Sequence, residues 1–509
     1  MEKRLVLAIA LSLLVLLSWS ALMPKPQVFD NKAVMATSTS LAASAQPLPV
    51  TTIPAGAIVS PVEVATETVK FTQDRREIIF NPATAAIINV VFKDGLEHSL
   101  PLQIGFLTDG NLVFRLYNKT QDAISFIYEG QNKRIIKKYN IPNNSNVIGL
   151  EVQVQNLSTS SLVFNPQLIL GRLDLSAKNR QARFQDIFLG NNEKTMHLSA
   201  GRDFSGADVK FIGLRDQYFC AIVEPATIAP KAYIKKIPNQ ESEVGLVFNE
   251  IDLKAGAQIG HSYRIYLGPQ DLKVISAINP EWTAVIYYGT FDFIAQLLLQ
   301  LLGFFYGLVH NWGLAIIILS IAVYFILFPL SIKQMRSMKE MQVLQPKIEA
   351  LRKEYKDNPQ KLNKEIMDLY KEHKVNPLGG CLPLLLQMPI FFALYQALIR
   401  SVALRGAHFL WIKDLSSPDK AFVFKTAIPL LGNQLNILPI LMAIGMFVQQ
   451  KISMAKATGE AAQQQQMMSI IMPIMFGVIF YQMPSGLVLY WFVNSLFMLF
   501  NQFRINNQK

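Results

Sequence analysis

Apolar residues are laid out along this chain in three different ways, and each predicts a different kind of structure. Residues 5–22 form one unbroken apolar run behind a basic start at 1–4. The run fits either a cleaved signal peptide, with Ser18-Trp19-Ser20 as a loose small-x-small site, or an uncleaved anchor. Trp19 near its end suits an interfacial anchor, so residues 1–23 are read as a membrane anchor. Residues 24–61 are rich in Ala, Ser, Thr and Pro without a period, the composition of a disordered linker. From 62 to 280 the apolar residues come in short alternating or β-branched runs: 77–80, 86–92, 112–117, 147–154, 162–170, 218–223 and 261–267. Turn pairs such as Asp94-Gly95, Asp109-Gly110, Asn143-Asn144 and Gly268-Pro269 separate them. This texture predicts an antiparallel β-sandwich, with a short helix over 181–188.

Beyond 281 the apolar runs lengthen to helical size. Residues 291–309 are apolar, but Asp292, Gln296, Gln300, Gly303 and Gly307 recur at three-to-four spacing and give one polar or small stripe. Residues 281–310 are therefore expected to lie along the membrane interface. Residues 311–330 form a clear span that ends at Lys333. The segment 333–374 then holds 11 basic and 7 acidic residues, a net charge of +4 that belongs on the cytoplasmic side. A helical hairpin is expected over 333–376: Met341, Leu344, Ile348, Leu351 and Tyr355 form a seam in the first arm. Asn358 and Pro359 then cap and start a second arm carrying Leu362, Ile366 and Leu369. Met335, Met338 and Met341 give the hairpin an adaptable apolar surface near the membrane.

Further spans follow at 382–402, 433–448, 468–480 and 485–503. With the anchor they make six, so both termini sit on the cytoplasmic side and the tail 504–509 is short. The fold class expected is mixed: a polytopic α-helical membrane domain (311–503) plus an exported antiparallel β-sandwich (62–280).

One of these spans is flawed in an informative way. Within 376–396, Pro383 and Pro389 each remove a backbone donor and Gln387 places an amide among leucines. Unpaired polar groups in hydrocarbon cost kcal/mol, so one side of this helix should face protein or a wet cavity. At ~1.5 Å per residue, Gln387 lies roughly 8 Å from one end of its span and Tyr324 roughly 13 Å from Lys333. Ser320, Asn494 and Ser495 fall near the middle of their own spans. Together the five polar residues outline a hydrophilic groove open on one side. Interhelical hydrogen bonding, worth ~0.6 kcal/mol per contact, explains any one of them equally well.

Composition agrees with a membrane chain carrying one large aqueous domain: 509 residues, 51% apolar, with a net charge of +12. The excess Lys and Arg is read as membrane orientation rather than specific nucleic-acid binding. The two cysteines, Cys220 and Cys381, fall in different regions, and no metal-ligand cluster or cofactor motif is present. His98, His197 and His261 are scattered and read as structural. No catalytic residues are expected, and no phosphate-binding loop points to a nucleotide motor.

Three stretches carry a family resemblance: NPLGGCLPLLLQMPIFFALYQ, the preceding LQPKIEALRKEYKDNPQKLNKEIMDLYKEHKV, and PSGLVLYWFVNSLF near the end. They resemble the bacterial YidC insertase family, related to mitochondrial oxidase-assembly and chloroplast thylakoid insertases. The likeness runs over about 312–503, and the exported domain resembles the periplasmic β-sandwich of Gram-negative members through Tyr218-Phe219 and Leu267-Gly268-Pro269. The resemblance implies a bacterial inner-membrane insertase and chaperone working alone or with the Sec translocon. Its partners would be nascent membrane proteins, the bilayer and the ribosome. It implies a groove that takes the polar part of a client, while the apolar part slides past Pro383, Pro389, Tyr490 and Trp491 into lipid. The family usually carries an arginine in that groove; counting back from Phe328-Pro329-Leu330, the position is Tyr324 here. No Lys or Arg occurs between Asn311 and Ile332.

Overall fold

The computed structural model describes residues 68–93, 96–176, 182–191, 195–226, 230–356, 358–373, 375, 382–428, 432–453 and 460–507. The expected anchor at 1–23, the linker at 24–61 and Cys381 lie outside the described residues.

Residues that alternate in polarity do form strands. In Val147–Asn156, Ile148, Leu150, Val152 and Val154 all turn to the core while their neighbours face outward. This strand is interior to a nine-stranded antiparallel sheet. Its order is Thr195–Leu198, Asp186–Gly190, Phe211–Arg215, Phe219–Pro225, Gln258–Pro269, Val147–Asn156, Lys133–Asn140, Ala123–Glu129 and Arg115–Lys119. Two four-stranded sheets, one over 69–105 and one built from strands between 167 and 247, adjoin at the Leu107–Ile169 bridge. Both pack on the nine-stranded sheet through one continuous core that includes Phe80, Phe126, Leu150, Leu168 and Leu246.

Local chemistry moved some boundaries. The run 162–170 is two strands, Leu162–Phe164 and Gln167–Asp174, because Pro166 supplies no ladder donor. The helix expected over 181–188 is only a 3-10 turn at Ala182–Phe184, followed by the strand Asp186–Gly190. Its Ile187, Phe188 and Leu189 are all buried, so burial on both faces won over helix formation.

The core also encloses a lysine. Lys137 is fully buried, and its ammonium donates to the Ala85 and Phe106 carbonyls at 2.7 Å each. The Phe114 and Tyr139 rings lie 5.9 and 5.5 Å from it. Burial pushes its pKa down to about 7.

Eight α-helices, with a two-stranded antiparallel sheet of Phe422–Ile428 and Gly432–Leu435 before the sixth, make up most of the rest of the described chain. The helices are α1 (Leu272–Ile278), α2 (Asp292–Val309), α3 (Trp312–Glu354), α4 (Pro359–Glu372), α5 (Leu382–Ile399), α6 (Ile437–Ser453), α7 (Glu460–Phe480) and α8 (Ser485–Asn507). Among the described residues, three stretches are long and apolar enough to cross a membrane: Asp292–Val309, Trp312–Ile332 and Ser485–Arg504. Shorter apolar helical stretches occur at Gln387–Ile399, Ile437–Ile452 and Ser469–Phe480.

α2 buries Ala295, Leu298 and Leu302 against α3 and α5. Its exposed side carries Phe293, Leu297, Phe304 and Leu308 around Gln300, Gly303 and Gly307, so the small polar stripe is not a separate face. α3 is one helix of 43 residues that passes through Pro329 and Pro346. The boundary expected at Lys333 is therefore a change of surroundings, not of backbone. Beyond it Leu344 and Ile348 bury with Val375, and Met341, Ile366, Leu369 and Tyr370 pack around them. Asn358 caps α4 as expected, its side chain accepting from the Lys361 amide with Pro359 at the first position.

The sheet region and the helices share a second core, in which Phe188, Phe211, Ile222 and Tyr266 meet Trp282, Leu298, Ile316 and Leu398. Polar contacts reinforce it. The Gln217 amide donates to the Ile399 carbonyl at 2.7 Å, and the Tyr218 and Ser416 hydroxyls are 3.1 Å apart. Arg405 donates to the Leu96 and Glu97 carbonyls at 2.8 and 2.7 Å, with its guanidinium over the Tyr218 ring. Arg400, just past α5, lies over the Phe184 ring at 5.7 Å, so it packs on the β-rich domain rather than reaching out beside its helix.

Candidate functional site

On α8, Tyr490, Asn494, Phe497 and Asn501 recur at four-three-four spacing, which sets all of them on one stripe of the helix. Two other helices reach this stripe. From α5, the Gln387 amide donates to the Tyr490 hydroxyl at 2.7 Å. From α3, the Tyr324 ring stacks on Phe497 with centroids 5.1 Å apart and planes at 28°. The Asn501 amide donates to the Tyr324 hydroxyl, and also to the Phe497 carbonyl at 3.2 Å. The Asn494 amide donates to the Tyr490 carbonyl at 3.0 Å. A polar seam thus runs along one face of α8, closed by Gln387 at one level and Tyr324 about three turns away at ~1.5 Å per residue.

The anticipated residues divide into two sets. Tyr324, Gln387 and Asn494 come together on this seam, and Tyr490, expected to contact the apolar part of a passing segment, joins them as the partner of Gln387. Ser320 is fully buried and donates to the Ile316 carbonyl of its own helix at 2.7 Å. Ser495 donates back to the Trp491 carbonyl at 2.9 Å. Both bonds are intrahelical and use each hydroxyl's single donor, leaving its oxygen free to accept. Trp491 turns toward a different neighbour set, packing on Phe391, Phe476 and Phe480 at 5.4–5.9 Å. Pro389 is accommodated inside α5 without ending it. The side chains of Met335, Met338 and Pro383 lie outside the described residues, while Met341 packs in the hairpin seam.

Asn501 was not anticipated, although it stands seven residues beyond Asn494, the spacing that marks a shared face. Among the described residues no group of His, Cys, Asp or Glu could hold a metal ion. The Ser485 hydroxyl donates to the Asp414 carbonyl at 3.0 Å, which ties a loop to the start of α8. The chemistry on offer at the seam is hydrogen bonding: amides and hydroxyls that can exchange partners.

Comparison with known proteins places the chain. The model of the 60Kd inner membrane protein family matches residues 304–509, and that of the YidC periplasmic domain matches 94–301. A protein of Geotalea daltonii named membrane protein insertase YidC is 32% identical over 549 aligned positions, covering 99% of each chain. One of the same name from Syntrophobacter fumaroxidans is 36% identical over 403, covering 77% of this chain and 72% of its own.

The chain belongs to the YidC membrane protein insertase family.

A solved structure described as an active YidC insertase with the first transmembrane domain resolved is also similar, with 20% identity and a TM-score of 0.41. It covers 87% of this chain and 92% of its own. Membership of the YidC family accounts for the pairing of a β-rich domain with a bundle of apolar helices.

Proposed function

We propose that this YidC-family chain inserts inner-membrane proteins and helps them fold, using the seam on α8 as one wall of a hydrophilic groove. The observation that carries the reading is the stripe of Tyr490, Asn494 and Asn501, met by Gln387 from α5 and Tyr324 from α3. Polar groups from three helices meet there within a largely apolar bundle. A client's polar segment replaces these interhelical bonds with its own, while its apolar residues pass between the helices into lipid.

The energetic argument needs no covalent step. A charged residue at the bilayer centre costs about 2.5–3.5 kcal/mol on insertion scales. Polar partners part-way across shorten the dry path. α6, with 17 residues, reaches ~26 Å, short of the ~30 Å hydrocarbon core, and favours a thinned bilayer beside it. Burial of the client's apolar side chains then drives release.

In this reading the β-rich domain is periplasmic, both termini are cytoplasmic, and the groove opens to the cytoplasm. α2 lies in the outer interface. The α3–α4 hairpin and the segment 449–467, which the structure makes the end of α6 and the start of α7 rather than one loop, meet the ribosome, and the chain works alone or beside the Sec translocon. The residues proposed for the client's polar part are Tyr324, Gln387, Asn494 and Ser495, with Ser320 behind them. Those proposed for its apolar part are Met335, Met338, Met341, Pro383, Pro389 and Trp491, while Tyr490, first expected among them, stands with the polar set as the partner of Gln387.

The test is insertion of a short single-span protein into liposomes holding only this chain, scored by protease protection. Wild type protects the client, and Gln387→Leu, which keeps the side-chain volume but removes the amide, lowers the protected fraction severalfold. Equal protection by wild type and Gln387→Leu, with both proteins folded, sinks the proposal.

A further inference from the structure

The connection between α5 and α6 is built more firmly than a passive loop requires. Asp414 accepts from the Gly406 amide, the Ser416 amide and the Ser416 hydroxyl at 3.1, 2.9 and 2.7 Å. Asp419 accepts from the Leu438 amide at 2.7 Å and from the Trp411 indole at 3.3 Å. The Phe409 ring sits so close to Gly313, at the start of α3, that a Cβ there would meet ring carbon at 2.1 Å. Both acids of the loop are thereby turned inward and committed to donors.

What the loop shows to its surroundings has the opposite character. Leu410, Trp411, Phe422 and Val423 are 75%, 40%, 58% and 67% exposed. Leu410 is held outward in a left-handed turn, φ 51°, closed by the Phe409–Ile412 bridge. Lys413, Lys420 and Lys425 are exposed beside them, and among the described residues none of the three forms an ion pair. After the loop, α6 carries its own row of exposed Ile440, Ile444 and Val448 at spacings of four.

We infer that this loop docks on an anionic phospholipid surface, its apolar tip entering the interface and its three lysines resting on headgroup phosphates. The choice of lipid over a protein partner rests on two features. Four large apolar side chains are exposed on the loop, a further exposed apolar row stands on the short helix that follows, and the loop's exposed charges are all positive. An aromatic at an apolar tip flanked by cations is the composition that settles at a membrane interface. Lysines on the side of the β-rich domain also run against the usual bias of basic residues toward the cytoplasm, and lipid phosphate gives them a purpose there.

The experiment uses the full chain in liposomes of zwitterionic phospholipid doped, at equal mole fraction, with a brominated anionic or a brominated zwitterionic lipid. The Trp411 signal is isolated as the difference between wild type and Trp411→Phe. We expect bromine to quench Trp411 in both, and more strongly in the anionic case. Lys413→Gln, Lys420→Gln and Lys425→Gln together should lower the apparent anionic preference by roughly fivefold per lysine while leaving quenching by the zwitterionic lipid. The corresponding triple Arg variant should keep the preference. Molar salt on wild type should abolish it, an arm that needs no variant to fold. Equal quenching by the two lipids in wild type overturns the inference. So does a preference that survives the triple Gln change, and so does an absence of lipid quenching at Trp411, which would assign the loop to a protein partner.

Discussion

Replacing Tyr324 with arginine asks directly whether water reaches the seam. Tyr324 is 4% exposed, stacked on Phe497, tilted against Phe328 at 5.8 Å and bonded to Asn501. Tyr324→Phe removes only the hydroxyl and should cost ~0.6 kcal/mol, the usual size of an interhelical hydrogen bond in a membrane protein. Tyr324→Arg also loses the ring stacking, worth ~0.5–1.5 kcal/mol. Beyond that, the outcomes separate. In a dry seam the guanidinium adds ~2.5–3.5 kcal/mol, so the two variants should differ by at least ~3 kcal/mol. In a hydrated groove the charge keeps its water and the difference stays below ~1.5 kcal/mol. The assay is reversible unfolding of the full chain in mixed micelles, with protein folded before denaturation in every case. A difference of ~3 kcal/mol or more would refute the groove at this depth and leave the α3–α8 contact as packing alone.

Other expectations follow from the same contacts. The folded-state pKa of Lys137, about 7, lies below its unfolded value near 10.5, so the folded protein binds fewer protons between them. Stability from this group should therefore rise as pH goes from 7 to 10 and fall again on return, by up to ~1.4 kcal/mol per unit. Urea unfolding of wild type against Lys137→Met checks it: only wild type should carry that slope. Asn358→Ala removes the cap of α4 and should cost ~1 kcal/mol. Amide exchange over Pro359–Glu372 would then quicken about fivefold. Arg405→Ala removes two carbonyl contacts and the cover of Tyr218, and should speed amide exchange in His98–Gly105 and at Gln217–Phe219 while distant Lys133–Asn140 stays protected.

Much of the β-rich domain was legible because alternation is a strong signal wherever one face is buried: 86–92 and 147–154 became strands at or near those bounds. The strand Asp186–Gly190 was hidden because residues buried on both faces show no alternation. Lys137 was hidden for a related reason. Its run, KRIIKKYN, reads as a strand with solvated lysines, and only the tertiary fold brings two carbonyls to one of them. In the helices, spacing put Asn494 and Tyr490 on one face but could not say what faced them, so Gln387 and Tyr490 were assigned to different tasks although they touch. Asn501 falls next to Gln502 and Arg504 at the polar end of the apolar run, where an amide carries little signal of an interior partner. Charge marked Lys333 as an edge, yet helical hydrogen bonding propagates through a change of solvent, and α3 simply continues.

That continuity turns α3 into a lever. At ~1.5 Å per residue its 43 residues span ~65 Å, with Tyr324 on one arm and the hairpin seam at the other end. The two are joined by continuous helix, interrupted in its hydrogen bonding only at Pro329 and Pro346. The compliant point is Pro329, between the two, where the missing amide leaves the Phe325 carbonyl without its helical donor. The upper arm is held by Phe409 against Gly313 and by the shared core with the β-rich domain. A load at the hairpin is therefore expected to flex the helix at its prolines before it tilts the anchored arm, which amide exchange around Phe325 would report.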